Sequence, residues 1–457
     1  MKMPKRTFAT IMLAAIVLTG QGCGTPTVPA PKPVTLTIWR VFDSEDTLRP
    51  IMTAYQQIHK NVSFDYHEIR MDEYKADLLR AFAEGTGPDI FSVHNTAMGE
   101  YRSLIAPLPK TLSIPYTETR GTIKKETVTT IRTQATLPVL QLEKDYVDAV
   151  AFDAEAPYQP TTKAAPETRI WGLPLSMDTL ALYYNKDLLN AAGIAEPPAT
   201  WEQFQAMIPK LTSVGANNAL IQSGAAIGTS RNVERAFDVL SLLMMQNGTP
   251  MTDARGNPTF AAHLDDGSAP GELATVFYTD YANPLKDTYT WNAQQPPSFD
   301  AFVAGKTAFF FGYSYHLASI RARAPKLRFG IAPVPQIAGS KVVNYANFWL
   351  ETVSKASKNQ DWAWDFLQFA TGADQVKSYL AAAKKPTARR ALIETQLTDI
   401  DLAPFAGELL TAKSWYHGND STVTEAAFLQ LIDDALAGTV KLNEAIRNAQ
   451  NKVGQTL

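Results

Sequence analysis

A short polar loop, His94 to Gly99, follows a predicted strand at a position that is typical of ligand-binding sites. It follows the run Gly87-Pro88-Asp89-Ile90-Phe91-Ser92-Val93, in which a turn leads into an apolar stretch typical of a buried strand in a mostly parallel sheet. Ligands of open α/β sheets bind in the crevice outside the carboxyl ends of the strands. Topology alone therefore makes this loop a candidate site.

The residue patterns of the common catalytic sites do not occur in the sequence. It contains no Ser-His-Asp arrangement, no P-loop, no zinc-binding pattern and no His-Glu-x-x-His motif. Acidic residues are abundant, but no pair of them indicates the carboxylate spacing that glycoside hydrolysis requires. We therefore predict that the protein is not an enzyme and that it uses neither a cofactor nor a metal.

The composition is that of a large globular protein. The chain has 457 residues, of which 45% are hydrophobic and 19% charged, and these values exclude a disordered polymer, a collagen-like fibre and a disulfide-rich scaffold. The formal charge is −3, or −6 once the three positive charges of Lys2, Lys5 and Arg6 are removed with a leader. Such a chain does not attract a phosphate backbone, so we exclude nucleic acid as a partner.

Residues 1–22 predict an export signal. Three basic residues precede the apolar run Ile11 to Leu18, which is too short to stay in a bilayer as a spanning helix. Cys23, the only cysteine, follows and opens a proline- and threonine-rich segment. This arrangement resembles a bacterial lipoprotein signal, which implies a lipid on Cys23, a flexible tether over 23–33 and a membrane-anchored protein facing the extracellular or periplasmic side. The alternative is a secretory peptide with an unpaired cysteine.

The chain after the tether begins with alternating strands and helices. Val34 to Ile38 and Val62 to Ile69 alternate apolar with polar residues, which predicts two strands. Apolar residues at helical spacing over 48–58 predict a helix between them. A second helix can begin at Asp72 and end at Gly85, where glycine adopts the left-handed conformation. The predicted order is βαβα, which is typical of an α/β fold.

The remainder of the chain predicts further helices and one insertion. Residues 107–168 form an insertion with one helix over roughly 130–149, and a second lobe starts with the bent strand from Ile170 to Lys186. Thr200 and Gln203 match a capping box at a helix start. Other predicted helices cover Phe237 to Met245, Trp362 to Phe369, Phe428 to Leu436 and Leu442 to Val453.

Five segments, taken in order, resemble the family 1 extracellular solute-binding proteins, the receptors that hand substrates to ABC importers. They are the opening strand to Trp39 with its helix, Gly87 to Phe91, Gly172 to Lys186 with Pro197 to Trp201 behind it, Phe302 to Phe309, and the closing helices around Ala437 and Gly438. The resemblance extends over nearly the whole chain after the tether.

This resemblance implies two α/β lobes joined by hinge strands, with an interlobe cleft for the ligand. One lobe would contain 34–172 and 337–384, and the other 173–336 and 385–457. The run Lys384-Lys385-Pro386-Thr387 resembles the last crossing between the lobes, and an ordinary solvated loop is an equally good interpretation.

The resemblance also implies a set of ligand-binding residues. Asp178 corresponds to an acidic ligand contact, and Tyr315 corresponds to a tryptophan that stacks on the ligand. Thr96 replaces an acidic residue of the maltose receptor, which argues against maltose itself. For several aromatic members of the set, packing in the core is the alternative role. The full set is Trp39, Asp43, His94, Asn95, Asp178, Tyr313, Tyr315, Asn347, Trp349 and Trp415.

The implied function is a monomeric receptor that closes on a carbohydrate, a short oligosaccharide, and docks on an ABC permease. Aromatic faces and carboxylates are the groups that bind sugars. The alternatives on the same fold are a polyamine, a ferric complex bound through Tyr313 and Tyr315, or a glycerophosphate bound by the loop 228–232. A glycoside hydrolase, an adhesion protein and a sensory protein are alternatives of other classes.

Overall fold

The computed structural model describes residues 31–120, 122, 126–216 and 219–457. The predicted signal peptide, Cys23 and most of the predicted tether lie outside these residues, so export and lipidation remain predictions. Within the described part of the chain, every helix is too short or too polar to pass through a lipid bilayer.

A four-stranded, mostly parallel sheet forms the centre of one half of the fold. In spatial order its strands are Trp349–Val353, Ile90–His94, Val34–Arg40 and Val62–Glu68. The last three run parallel, and Trp349–Val353 pairs antiparallel to Ile90–His94. The carboxyl ends of the three parallel strands therefore meet at one edge of this sheet.

The helices that connect these strands confirm the predicted βαβα order. Helix Glu45–Ile58 buries Leu48 and Tyr55 on the predicted apolar stripe. Helix Met71–Glu84 ends at Gly85, which has a φ of 72° and the left-handed conformation expected there.

A five-stranded sheet forms the centre of the other half. In spatial order its strands are Ser213–Val214, Leu220–Ala225, Thr307–Gly312, Ala181–Asn185 and Phe329–Pro333. Only the second and third strands run parallel, and the other neighbours are antiparallel. All residues of the third strand are buried, as its central position requires.

A small sheet of three short strands joins the two halves. Asn344–Asn347 is its central strand, with Ala412–Lys413 parallel on one side and Asp178–Thr179 antiparallel on the other. The three strands come from distant parts of the chain. Hydrogen bonds between their backbones therefore hold three separate segments together.

The buried apolar residues form two main cores, and the chain passes between them three times. The first core uses residues within 36–177 and 346–412, and the second uses residues within 180–345 and 415–453. Each passage runs through one strand of the three-stranded sheet. A smaller cluster around Tyr183 covers the opposite face of the five-stranded sheet.

The limits of the two cores differ from the lobe boundaries predicted from the sequence. Leu173, Leu175 and Met177 pack in the first core, as do buried residues between 388 and 412. These apolar side chains belong to the first core although they lie beyond the predicted boundaries at 172 and 384. The lobes as moving bodies remain a prediction.

The insertion contains a β-hairpin where a helix was predicted. Strands Thr111–Arg120 and Glu126–Ala135 pair antiparallel over ten residues each, so the predicted helix over 130–149 is wrong at its start. The run Thr127-Val128-Thr129-Thr130-Ile131 is β-branched throughout, and such residues favour strands over helices. Two short helices, Val139–Asp145 and Asp148–Ala154, follow the hairpin.

The helices predicted after residue 200 are confirmed. At the start of Trp201–Leu211 the Thr200 side chain accepts from the Gln203 amide, and the Gln203 side chain accepts from the Thr200 amide, which completes the capping box. The other helices are Met98–Tyr101, Lys186–Ala191, Ala236–Gln246, Pro270–Asp280, Ser298–Val303, Tyr315–Arg323, Gln360–Ala370, Ala373–Ala383, Ile393–Gln396, Ala403–Ala406, Ser421–Ala437 and Leu442–Gly454, and the remaining strands are Glu155–Tyr158 and Glu167–Ile170.

Candidate functional site

A cavity of about 900 Å³ lies between the two cores. The first half lines it with the ends of strands Val34–Arg40 and Ile90–His94 and the loops after them, and with the start of strand Trp349–Val353. The second half lines it with residues at the start of helices Ala236–Gln246 and Tyr315–Arg323. Small-molecule sites typically measure about 300 to 1,000 Å³. The cavity therefore has the size and the position of a ligand site.

Six of the ten predicted ligand residues line this cavity. They are Asp43, His94, Asp178, Tyr315, Asn347 and Trp349. Asp178 and Asn347 are paired in the three-stranded sheet, so two of the six lie where the chain passes between the cores. Their contact with a ligand remains a prediction.

The two tryptophans Trp39 and Trp415 do not line the cavity. Trp415 is 4% exposed and donates from Nε1 to the Ser241 hydroxyl at 3.2 Å, and it packs against Phe428 in the second core. Trp39 is half-buried against the first core, with its ring 6.0 Å from that of His67. Both indoles contribute to packing, which corrects their predicted place in the cleft.

Asn95 and Tyr313 are also buried outside the cavity wall. The Asn95 amide donates to Asp153 at 2.9 Å, and the Tyr313 hydroxyl donates to Asp238 at 2.6 Å. Both side chains are fully buried and their polar groups are used within the protein. Tyr313 therefore cannot join Tyr315 in binding a ferric ion from the cavity.

Trp349 presents an aromatic surface from the first half. Its ring is held by three edge-on neighbours: Phe42 at 5.9 Å and 76°, His94 at 5.3 Å and 72°, and Tyr74 at 6.2 Å and 84°. Edge-to-face contacts of this kind fix an aromatic ring in orientation. The indole is only half-buried, so part of it remains available to a ligand.

Tyr315 presents an aromatic surface from the second half. Its ring is stacked on Tyr313 at 5.8 Å and 25° and lies 4.2 Å from the ring of His316. The side chain is 48% exposed although its neighbours are buried. Each half thus contributes to the same cavity an accessible ring that is held in place by aromatic neighbours.

His94 is a neutral positioning group. Its Nε2 donates to Asn347 Oδ1 at 3.1 Å, and its Nδ1 accepts from the Thr96 hydroxyl at 2.7 Å. Burial, together with the positive charge of Arg235, lowers the pKa of His94 to about 4. Both ring nitrogens are occupied, so His94 orients Asn347 and supports Trp349.

Asp178 joins the three-stranded sheet to the second half. Its carboxylate accepts from the Ser314 amide at 2.9 Å, from the Ser314 hydroxyl at 2.6 Å and from the Thr179 amide at 3.0 Å. Burial raises the pKa of Asp178 to about 7, although these hydrogen bonds oppose the shift. A carboxyl group that is half-ionised near neutral pH can both donate to and accept from ligand hydroxyls.

Replacing Asp178 with asparagine should reduce the pH dependence of stability. The native carboxyl group holds a proton up to about pH 7, whereas an unfolded aspartate releases it near pH ~4. The protonated Asp178 carboxyl group therefore makes its full contribution to the free energy of unfolding below about pH 4. This contribution is lost as the pH rises towards about 7. Denaturant unfolding at pH 5 and pH 7.5 should show a larger loss of stability in the wild type than in D178N.

The variant D253N is a matched control for this comparison. A hydrogen bond from the Asn257 side chain and backbone amides lower the pKa of Asp253, so its titration lies below pH 5 and should not affect the difference between the two conditions. Equal pH differences in the wild type and D178N would show that Asp178 does not titrate in this range.

A buried charge network supports the first half of the cavity. Arg40 binds Glu351 at 3.0 Å and Asp43 at 3.0 Å. Asp43 also accepts from Lys385 Nζ at 2.7 Å and from the Tyr379 hydroxyl at 2.9 Å. Burial alone would raise the pKa of Asp43, but the charges of Arg40 and Lys385 hold it below its ordinary value. Asp43 is thus held ionised and oriented at the cavity wall.

The burial of Arg40 could have been inferred from its spacing to the apolar residues of the same strand. Leu36, Ile38 and Arg40 are the buried residues of strand Val34–Arg40, because side chains two apart share one face of a strand. A charged residue in register with buried apolar ones requires a partner. That partner, Glu351, lies on a strand more than 300 residues away and only the fold brings it close.

Backbone strain is concentrated at this cavity. In the described ranges, three residues other than glycine have a left-handed φ: Phe42 at 70°, Arg235 at 62° and Lys384 at 54°. All three line the cavity. This conformation costs about 1–2 kcal/mol per residue, and such strain is typical of functional sites. The backbone conformation therefore indicates the same candidate site as the residue types do, and it does so independently of them.

Comparison with known sequences identifies the family. Residues 128–377 match the bacterial extracellular solute-binding protein family, and since this is more than half of the chain, the protein belongs to that family. This is a family of solute-binding proteins and not of enzymes, in agreement with the prediction from the sequence.

Two curated relatives match about half of the chain. A binding protein of Brucella abortus is 25% identical over 254 residues, which are 54% of this chain and 57% of the relative. The sn-glycerol-3-phosphate-binding periplasmic protein of Pectobacterium atrosepticum is 27% identical over 265 residues, which are 53% of this chain and 54% of the relative. The chain therefore spans only a little over half the length of each.

Solved structures match nearly the whole chain. A solute-binding protein of Thermotoga lettingae bound to α-D-tagatose has a TM-score of 0.65 at 18% identity and covers 92% of this chain and 99% of its own. A cyclic α-maltosyl-1,6-maltose-binding protein of Arthrobacter globiformis has a TM-score of 0.68 at 18% identity, with 93% and 99% covered. These matches confirm the predicted α/β periplasmic binding protein fold.

Proposed function

We propose that the protein binds a neutral carbohydrate, a short oligosaccharide, in the cavity between its two halves and delivers it to an ABC permease. The observation that carries this proposal is the pair of accessible rings, Trp349 from one half and Tyr315 from the other, facing one cavity. Aromatic rings stack on the apolar faces of sugars. We further propose that the protein acts as a monomer, exported and anchored through a lipid on Cys23.

The two halves would close on the ligand by bending at the three-stranded sheet. All three passages between the cores run through strands of two to four residues in that sheet, and short element-terminal segments can absorb the rotation. The lobes would then be 34–177 with 346–412, and 180–345 with 415–457. A ligand that contacts both lobes favours the closed state because it binds that state more tightly.

A glycerophosphate is the second candidate, because a curated relative binds sn-glycerol 3-phosphate. The cavity wall carries six basic and eight acidic side chains. Five of the six basic groups have a carboxylate within 4 Å: Arg40, Lys75, Arg235, Arg321 and Lys385. A phosphate would add negative charge to a wall that already carries more carboxylates than cations, so the charge balance favours a neutral ligand.

The loop that was considered for phosphate binding lies outside the cavity. Arg231 pairs with Asp433 at 3.5 Å, and the Thr229 hydroxyl donates to Asn232. None of the residues of 228–232 lines the main cavity. This leaves the glycerophosphate alternative without its predicted binding loop.

A thermal-shift panel tests the proposed function. The full chain would be heated with D-tagatose, maltotetraose, mannotriose, sn-glycerol 3-phosphate, spermidine and ferric citrate. A ligand at about 100 times its Kd stabilises the native state by about 2.7 kcal/mol, so a neutral saccharide should raise the melting temperature by several degrees. A shift with glycerol 3-phosphate alone would refute the carbohydrate proposal and leave the family assignment intact.

A further inference from the structure

We propose that Arg235 recognises a pair of adjacent hydroxyl groups on the uncharged sugar through the edge of its guanidinium group that Asp238 leaves free. The inference rests on the proposed carbohydrate function and names a binding residue that the sequence analysis did not find. It further assigns the ligand group as a vicinal diol.

One edge of the Arg235 guanidinium is anchored in the protein. Nε donates to Asp238 Oδ2 at 2.7 Å and Nη2 donates to Oδ1 at 3.0 Å. Asp238 is fully buried and also accepts from the Tyr313 hydroxyl at 2.6 Å. This bidentate pair fixes the plane of the guanidinium, which lies 5.9 Å from the centroid of the Tyr313 ring.

The other edge of the guanidinium is free. A guanidinium group has five N–H donors, and the pair with Asp238 uses two. Within the described residues, Nη1 donates to no protein group. Arg235 lines the cavity and its side chain is 27% exposed. The edge formed by Nη1 and Nη2 therefore offers two parallel donors to a ligand.

The local structure at position 235 is unfavourable for an arginine in two ways. The residue has a left-handed φ of 62° and lies at the N-cap of helix Ala236–Gln246. The left-handed region is strained for a side chain of this size. A cation is also disfavoured at the positive end of a helix dipole. Asparagine or glycine would suit the position better, and neither would present a guanidinium group.

The surrounding charges select a diol over an anion. Two parallel donors match a vicinal diol, a carboxylate or a phosphate. Asp238 already neutralises Arg235, and Glu234 and Glu425 line the same cavity. An anionic ligand would meet these carboxylates, whereas sugar hydroxyls can accept from Arg235 and donate to them. Tyr315, which lines the same part of the cavity, supplies a ring for the sugar face.

The matched variants R235K and R323K test this inference. Arg323 lies on helix Tyr315–Arg323 of the same half and pairs with Asp300 at 2.8 Å, but it does not line the cavity. R235K keeps the charge beside Asp238 and removes the two parallel donors. Calorimetric titrations of the full chain with maltotetraose, mannotriose, D-tagatose and sn-glycerol 3-phosphate would be compared at 50 and 500 mM salt, with R235Q as a second variant.

We expect R235K and R235Q to weaken saccharide binding about 10- to 100-fold. R323K should leave the Kd unchanged, and the affinity of the wild type should be insensitive to salt. Unliganded melting temperatures would show that each variant is folded. Unchanged saccharide binding in R235K and R235Q would overturn the role of Arg235 and leave the proposed function standing. A wild type that binds only sn-glycerol 3-phosphate, with an affinity that falls as salt rises, would overturn both.

Discussion

Replacing Arg40 with methionine should lower the free energy of unfolding by about 3–5 kcal/mol. Arg40 is 4% exposed and binds Glu351 and Asp43 at 3.0 Å each. Without the guanidinium group, the Glu351 side chain keeps, among the described residues, only its hydrogen bond from Ser92 at 2.8 Å and remains a buried charge without a counter-charge. Urea unfolding of the full chain, followed by tryptophan fluorescence, measures the change.

The variant R49M is the control for Arg40. Arg49 pairs with Asp46 at 2.8 Å, but its side chain is 57% exposed. Such surface pairs contribute less than about 1 kcal/mol. If R40M and R49M unfolded at the same urea concentration, the buried network would not support the cavity wall as described.

Replacing Trp349 with alanine should weaken saccharide binding about 30-fold or more. Truncating a central aromatic group in a binding site typically costs about 2 kcal/mol or more, which corresponds to this change in Kd. Trp349 has its orientation fixed by Phe42, Tyr74 and His94 before any ligand arrives, so little order has to be gained on binding. Calorimetric titration with the saccharide that gives the largest thermal shift measures the loss.

Two further variants separate stacking from stability. Y315A removes the ring on the opposite wall and should cause a loss of similar size. W362A removes a half-buried indole that packs on the first core near His59, at 5.1 Å, outside the cavity, and should leave the Kd unchanged. Equal affinities of W349A and the wild type would contradict the assignment of the cavity as a sugar site.

The regular elements that position the site follow from the sequence because each has a local pattern. The strand with Leu36 and Ile38 buried, the helix ending at Gly85 and the capping box at Thr200 were all predicted from spacing within a few residues. The hairpin over 111–135 was missed because its threonine-rich strands contain few apolar residues at either period.

The three-stranded sheet could not be predicted from periodicity. Its strands Asp178–Thr179, Asn344–Asn347 and Ala412–Lys413 are two to four residues long, which is shorter than any pattern that alternation can establish. The family resemblance, and not the local sequence, indicated hinge strands. The observed boundaries depend on which core each apolar side chain enters, and this is a property of the folded chain.

Residue type alone did not distinguish the side chains that line the cavity from those that pack in a core. Trp349 and Trp415 each come two residues after a strand of the three-stranded sheet, yet one lines the cavity and the other packs on Phe428. Arg235 carried no sequence signal, because its importance lies in a left-handed backbone and in the pairing with Asp238. Both features are visible only in three dimensions.

A crystal structure of the full chain with the saccharide selected by the thermal-shift panel is the most direct test of neutral-sugar binding between the two halves. We predict a sugar ring stacked on Trp349, a second contact with Tyr315, and two adjacent hydroxyl groups within hydrogen-bonding distance of the free edge of Arg235. A saccharide bound outside this cavity, or a cavity filled by a phosphate ester in competition with the sugar, would contradict the account.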